Sequence, residues 1–121
     1  MYGTFAAVHF FFAMQWLFLV LAGLAEVAFA FCLGKARLVA GAPALGWYAG
    51  FLGCAVLSFY LLNLSLAQLP LGTAYAVWTG IGAVGTAVVG VIAFGDPLTG
   101  ARLFFLATLI GSVLGLKAVS H

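Results

Sequence analysis

The chain has 121 residues, 67% of them hydrophobic and only 5% charged, with a formal net charge of +2 and a mean hydropathy of +1.31. Its four basic and two acidic side chains cannot coat a globule, so a soluble domain is excluded and an integral membrane protein is implied. So few charges also predict no nucleic-acid surface.

A spanning helix needs about 20 apolar residues, and four runs qualify: 5–33, 44–67, 73–94 and 101–119. The expected fold is all-α, with transmembrane helices over about 15–34, 43–68, 73–94 and 97–119 in a single domain of residues 14–121, preceded by an extension over 1–13. The runs are continuously apolar rather than alternating, which argues against a membrane β-barrel.

The first run is too long for one upright crossing, since 29 residues as a helix extend about 43 Å against a hydrocarbon core of about 30 Å. Residues 1–13 are therefore read as an interfacial or disordered extension, or as an upstream start ahead of Met14. The cluster His9-Phe10-Phe11-Phe12 suits an aromatic interface belt. No positive charge precedes the apolar stretch, which argues against a secretory signal peptide.

Trp16 to Ala30 then reads WLFLVLAGLAEVAFA and sets one carboxylate, Glu26, in mid-membrane. An ionisable group there is expensive to desolvate and is by default a functional-site hypothesis. Its neighbours at helical spacings of three and four are Ala22, Gly23, Phe29 and Ala30, mostly small, leaving room for another helix or a ligand. No base is close in spacing: Lys35 is in the first loop, Arg102 opens the fourth helix and Lys117 lies near its end. A desolvated carboxylate without a fixed cation holds either a proton or a guest cation, and the two states exclude each other. That exclusion is what proton-coupled exchange requires.

Residues 34–43 form the first loop, marked by Lys35 and Arg37 and closed by Gly41-Ala42-Pro43. The second helix carries a small-residue stripe, Gly46, Gly50 and Gly53, and the polar residues Ser58, Asn63 and Ser65. Cys32 and Cys54 lie in apolar runs without a CxxC or Cys/His cluster and are read as packing residues, not as a disulfide or metal site. Leu69-Pro70-Leu71-Gly72 is too short a connection for anything but an antiparallel neighbour.

The third helix carries Tyr75 and Trp78 on one face, extended by Thr79 and Gly82, where ring faces attract organic cations and the polar tips can donate to a carboxylate; Ser58 can do the same. Glycines at 80, 82, 85 and 90 make it the natural place for a bend, centred on Gly80 and Gly82. Asp96 before Pro97 fits the N-cap of the fourth helix. In that helix Gly111-Ser112-Val113-Leu114-Gly115 is a GxxxG suited to a helix–helix contact.

Taken in order, these residues resemble the small multidrug resistance family of four-helix bacterial transporters. The likeness covers nearly everything from Met14 onward: Trp16, Leu19, Ala22-Gly23 and Glu26-Val27 in the first helix, Ser58-Phe59-Tyr60-Leu61-Leu62 in the second, and Pro70, Gly72-Thr73-Ala74-Tyr75-Ala76 and Trp78-Thr79-Gly80-Ile81-Gly82 in the third. Gly115-Leu116-Lys117-Ala118, with the Trp-Thr-Gly-Ile-Gly wording, resembles the guanidinium-exporter branch. The resemblance implies two copies inserted in opposite orientations that exchange a cation for protons by alternating access. It implies Glu26 of each subunit as the shared proton and substrate site, Gly23, Phe29, Ser58, Tyr75 and Trp78 around it, and Gly111 and Gly115 at the dimer contact. It gives Lys117 no role. Phe29 stands where guanidinium exporters usually carry tryptophan, so an indole donor is absent from the network.

Guanidinium suits the acid: it is planar, permanently charged, and presents a fork of donors that a carboxylate accepts bidentately. The expected function is therefore proton-coupled export of guanidinium-type cations across the bacterial inner membrane, without cofactor, metal or enzymatic chemistry, the partners being a second inverted copy or an oppositely oriented paralogue, protons, the cation and the bilayer. Two alternatives are a broader exporter of quaternary ammonium and other drug cations, and a non-transporting or flippase-like membrane subunit. Lys35, Arg37 and Arg102 on one side against Lys117 on the other give only a mild positive-inside bias, which fits either dual insertion of this sequence or an oppositely oriented partner encoded separately.

Overall fold

A computed structural model of the protein describes residues 2–120, without the side chain of Tyr2. It contains α1 (Tyr2–Leu38), α2 (Ala42–Ser65), α3 (Leu71–Phe94) and α4 (Gly100–Val119), all long and apolar enough to cross a membrane. Hydrocarbon offers no partner for backbone N–H and C=O groups, so runs of this length must satisfy them internally as helices. The protein is an all-α, multi-pass membrane protein.

The bounds differ from the expected ones at three places, each for a local reason. α1 begins at Tyr2 rather than near residue 15 and spans 37 residues. No proline interrupts it, and aromatic pairs at i, i+4 carry it forward: Phe5 edge-on to His9 at 4.3 Å and Phe12 to Trp16 at 6.3 Å between ring centroids. At about 55 Å it is longer than the hydrocarbon core is thick. Met1, the first residue of the expected extension, lies outside the described residues.

α2 ends at Ser65 instead of residue 68. Leu66 and Ala67 close tight turns onto the Asn63 and Leu64 carbonyls, and the following Pro70 disfavours helix at Leu69. Buried Gln15 of α1 lies against the Leu64 and Ser65 carbonyls, and with its amide turned so that the nitrogen faces them it donates to both and caps the end of α2.

α4 begins at Gly100, not at 97, because Thr99 and not Asp96 is its N-cap: the Thr99 hydroxyl accepts from the Arg102 N–H at 3.2 Å. Asp96 belongs to the end of α3. Gly95 takes the left-handed conformation (φ 69°) that only glycine adopts without strain, and the Asp96 N–H then reaches back to the Gly90 carbonyl at 2.9 Å. This turn lays the Asp96 carboxylate against Gly90.

α1 is the centre of the bundle, packed along both α2 and α3, while the backbone of α4 approaches α3 alone. The buried core is Trp16, Leu19 and Ala22 of α1 against Ala74, Val77 and Trp78 of α3, closed at one end by Leu69. α3 runs through Gly80 and Gly82 as an unbroken helix. These glycines also supply close approach: a β-carbon at Gly80 would overlap the Val113 side chain of α4. None of the residues of α4 is buried, and β-carbons at Gly111 or Gly115 would meet nothing within 4 Å.

Candidate functional site

The residues of α1 and α3 interlock along one seam at spacings of three and four, where each partner on one helix answers a small residue on the other. Gly23 admits Ile81, whose Cγ2 would stand 2.5 Å from a β-carbon at that position. Gly85 admits Val27 in the same way. Between these two contacts lies Glu26, and its carboxyl group occupies the space that any side chain at residue 82 would need. Gly82 is thus the floor on which the acid rests. Glu26 is half-buried, and its Oε2 atom is fully buried without a hydrogen-bond partner among the described residues.

One turn earlier, three helices are tied by a short relay. The Ser58 hydroxyl of α2 donates to the Ala22 carbonyl of α1 at 2.7 Å and accepts from the Trp78 indole N–H of α3 at 2.9 Å. Ser58 and Ala22 are fully buried and Trp78 nearly so. Both donors are consumed there, so neither reaches the Glu26 carboxylate, contrary to the expectation from their residue types. Tyr75 is 56% exposed, lying against Trp78 with ring centroids 5.4 Å apart rather than pointing toward Glu26. One turn after the acid, Phe29 packs edge-on to Phe51 of α2 at 5.6 Å.

The relay makes a prediction for stability. Replacing Ser58 with alanine removes both bonds and strands the buried Trp78 N–H, which costs about 1–3 kcal/mol. The loss is read as a lower midpoint in denaturant titration of the protein in mild detergent, and an unchanged midpoint would mean that the relay does not hold the helices.

Two features of the site region had no counterpart in the sequence reading. The first is the seat of Glu26 on Gly82, whose signal was the recurrence of glycine at 82 and 85, three apart and in phase with Glu26 and Val27. The second is a place for Lys117: its ammonium lies 5.5 Å from the centroid of the Trp16 ring, linking the end of α4 to the start of the core.

The chemistry left to the site is narrow. A carboxylate with a buried, unmatched oxygen and no hydrogen-bonding partner is stable only with a proton or with a cation that brings donors of its own. A four-helix, multi-pass membrane bundle with one such acid in the seam between two spans is the plan of a small membrane transporter. Residues 14–109 match the family described as Small Multidrug Resistance protein, and the chain belongs to that family.

Among its relatives, the guanidinium exporters of Citrobacter freundii and of Salmonella typhimurium strain LT2 are each 39% identical over 112 residues, covering 89% of this chain and all of theirs. A probable guanidinium efflux system subunit, GdnD, of Bacillus licheniformis is 57% identical over 63 residues, 52% of this chain and 61% of that protein. The chain therefore spans less than two thirds of the Bacillus relative and the whole of the enterobacterial ones.

Proposed function

We propose that the protein is a proton-coupled antiporter that exports guanidinium-type cations across the bacterial inner membrane, as one half of a dimer whose other half lies in the inverted orientation. The observation that carries this reading is the buried, unpartnered Oε2 of Glu26 on the bare backbone of Gly82. A proton satisfies that oxygen, and so does one arm of a planar donor fork; both cannot do so together. The names of the relatives support guanidinium as the cation. In this reading Glu26 binds proton and substrate, Gly23 and Phe29 flank it one turn to either side, and Ser58 and Trp78, with Tyr75 against the Trp78 ring, act by holding α1, α2 and α3 in register.

The second member of the dimer completes the site on the open side of the bundle. The unburied α4, with Gly111 and Gly115 bare toward the outside, is the contact this requires. The partner is a second copy or an oppositely inserted paralogue, and the word "subunit" in the name of the Bacillus relative keeps the paralogue in play. Accessibility labelling of each terminus in cells expressing this chain alone separates the two: labelling on both sides means self-sufficient dual insertion.

The transport test uses the purified chain in sealed vesicles with an outward guanidinium gradient and a pH dye inside. Inward proton movement that saturates with guanidinium and is absent without protein is the expected result. No proton movement with this chain, alone or with its partner, overturns the proposal. A second reading, export of quaternary ammonium cations, is favoured by the apolar Phe29–Phe51 wall, which offers ring faces and no N–H. Tetraethylammonium is therefore run beside guanidinium; proton movement driven by it alone selects this reading.

A further inference from the structure

At the loop end of the same α1–α3 seam, two aromatic rings already hold a cation. The Lys35 ammonium lies 5.6 Å from the ring centroid of Phe31 and 5.8 Å from that of Phe94, both inside the range of a cation–π contact. The rings come from the ends of different helices and sit 5.8 Å apart at an angle of 60°. Phe94 rests on bare backbone, since a β-carbon at Gly34 would be 2.6 Å from its Cζ. Trp47 of α2 braces Phe31 edge-on at 5.8 Å. Beside the rings is a cavity of about 240 Å³ that Thr86 and Asp96 also line. The turn after α3 fixes Asp96 there, through its N–H bond to the Gly90 carbonyl.

We infer that the Phe31–Phe94 ring pair and Asp96 form a second, peripheral site for a small planar organic cation, its rings covered by the chain's own Lys35 until a guanidinium-type cation takes them over. The inference rests on the proposed cation specificity. Its chemistry is independent of Glu26: ring faces take the flat face of the ion and a carboxylate takes its donor edge. An ammonium on a flexible stem satisfies the rings but presents no planar fork, so it is a resident that gives way to guanidinium. Phe31 follows Glu26 by five residues, about 7.5 Å along the helix, which places the peripheral site between the loop and the central acid.

The test removes the central site and then the resident cation. Guanidinium chloride is titrated calorimetrically into the full chain carrying Glu26→Gln in lipid nanodiscs, and the amide resonances of Gly90 and Asp96 are followed by NMR. Adding Lys35→Met is expected to tighten guanidinium binding by about tenfold and to shift those two resonances, while a further Asp96→Asn abolishes the gain. Lys35→Gln is the second variant if the methionine lowers the yield. Lys35→Arg, which tethers a planar fork in the same place, is expected to give no gain. Unchanged affinity on removing Lys35, or a gain that survives Asp96→Asn, overturns the inference. Full exchange activity in Glu26→Gln would instead sink the central reading and leave this titration intact.

Discussion

Replacing Glu26 with glutamine is expected to reduce guanidinium–proton exchange to the level of empty vesicles, a loss of at least about a hundredfold, while leaving the fold intact. Glutamine has the shape of the acid, so Ile81 still seats on Gly23 and Val27 on Gly85. It cannot ionise, so it offers a guest cation no charge and releases no proton when the cation arrives. Stability is expected to hold or improve, because a neutral amide is cheaper to bury than a carboxyl group that must ionise in each cycle. Glu26→Asp keeps the charge but draws it back from Gly82 by one methylene; a partial loss of exchange is expected, read mainly as weaker cation binding. In the unchanged protein, linkage makes the competition visible as cation affinity that falls with acidity, by about tenfold per pH unit where one proton is displaced. Exchange in Glu26→Gln at more than a few per cent of the unaltered rate would show that another group carries the proton.

The class of fold was legible because it depends on quantities that a sequence states directly, namely apolar run length and the near absence of charge. Glu26 was legible for the same reason: a lone acid in hydrocarbon is conspicuous whatever surrounds it. What surrounds it was less so. Ser58 and Trp78 were recognised as polar groups facing the interior, but residue type does not say which of several acceptors a donor finds. The Ser58 hydroxyl finds the Ala22 carbonyl and the Trp78 indole finds Ser58, which uses both donors. Gly80 and Gly82 were read as flexibility, since a glycine in a helix lowers rigidity in isolation. Packed against Val113 and Glu26, they also serve as contact surface, which glycine's flexibility alone does not announce. Asp96-Pro97 had the pattern of a helix start, yet Gly95 one residue earlier turned Asp96 into the end of α3 and passed the cap to Thr99.

These corrections have a common cause that bears on mechanism. In water an apolar sequence pattern selects the buried face of a helix, but in lipid all faces are apolar and only small residues and hydrogen bonds select it. α1 and α3 are matched through Gly23, Gly82 and Gly85, and α1 and α2 through the Ser58 bond, whereas α4 is matched on one side only. Helices α1 to α3 are therefore tied to one another by matched small residues and a hydrogen bond, whereas none of the residues of α4 is buried.

Gly82→Ala isolates the seat of the acid from the acid itself. The added methyl falls in the volume of the Glu26 carboxyl group, so the side chain must leave its rotamer or the helices must part. Overpacking of this kind costs about 1–3 kcal/mol, and if the cost falls on the cation-bound state, guanidinium binding weakens by roughly tenfold to a hundredfold. Helix propensity acts in the opposite direction, since alanine is favoured over glycine by about 1 kcal/mol in a helix interior, so loss of α3 is not the route to the defect. Gly85→Ala is the matched control: its methyl meets the Val27 side chain in the same seam, one turn away. Both variants crowd α1 against α3, but only the first touches the carboxylate. Guanidinium affinity is expected to fall far more in Gly82→Ala than in Gly85→Ala at comparable loss of unfolding midpoint. Equal losses in the two would mean that the spacing of the helices, and not the placement of the carboxylate on bare backbone, governs the cation.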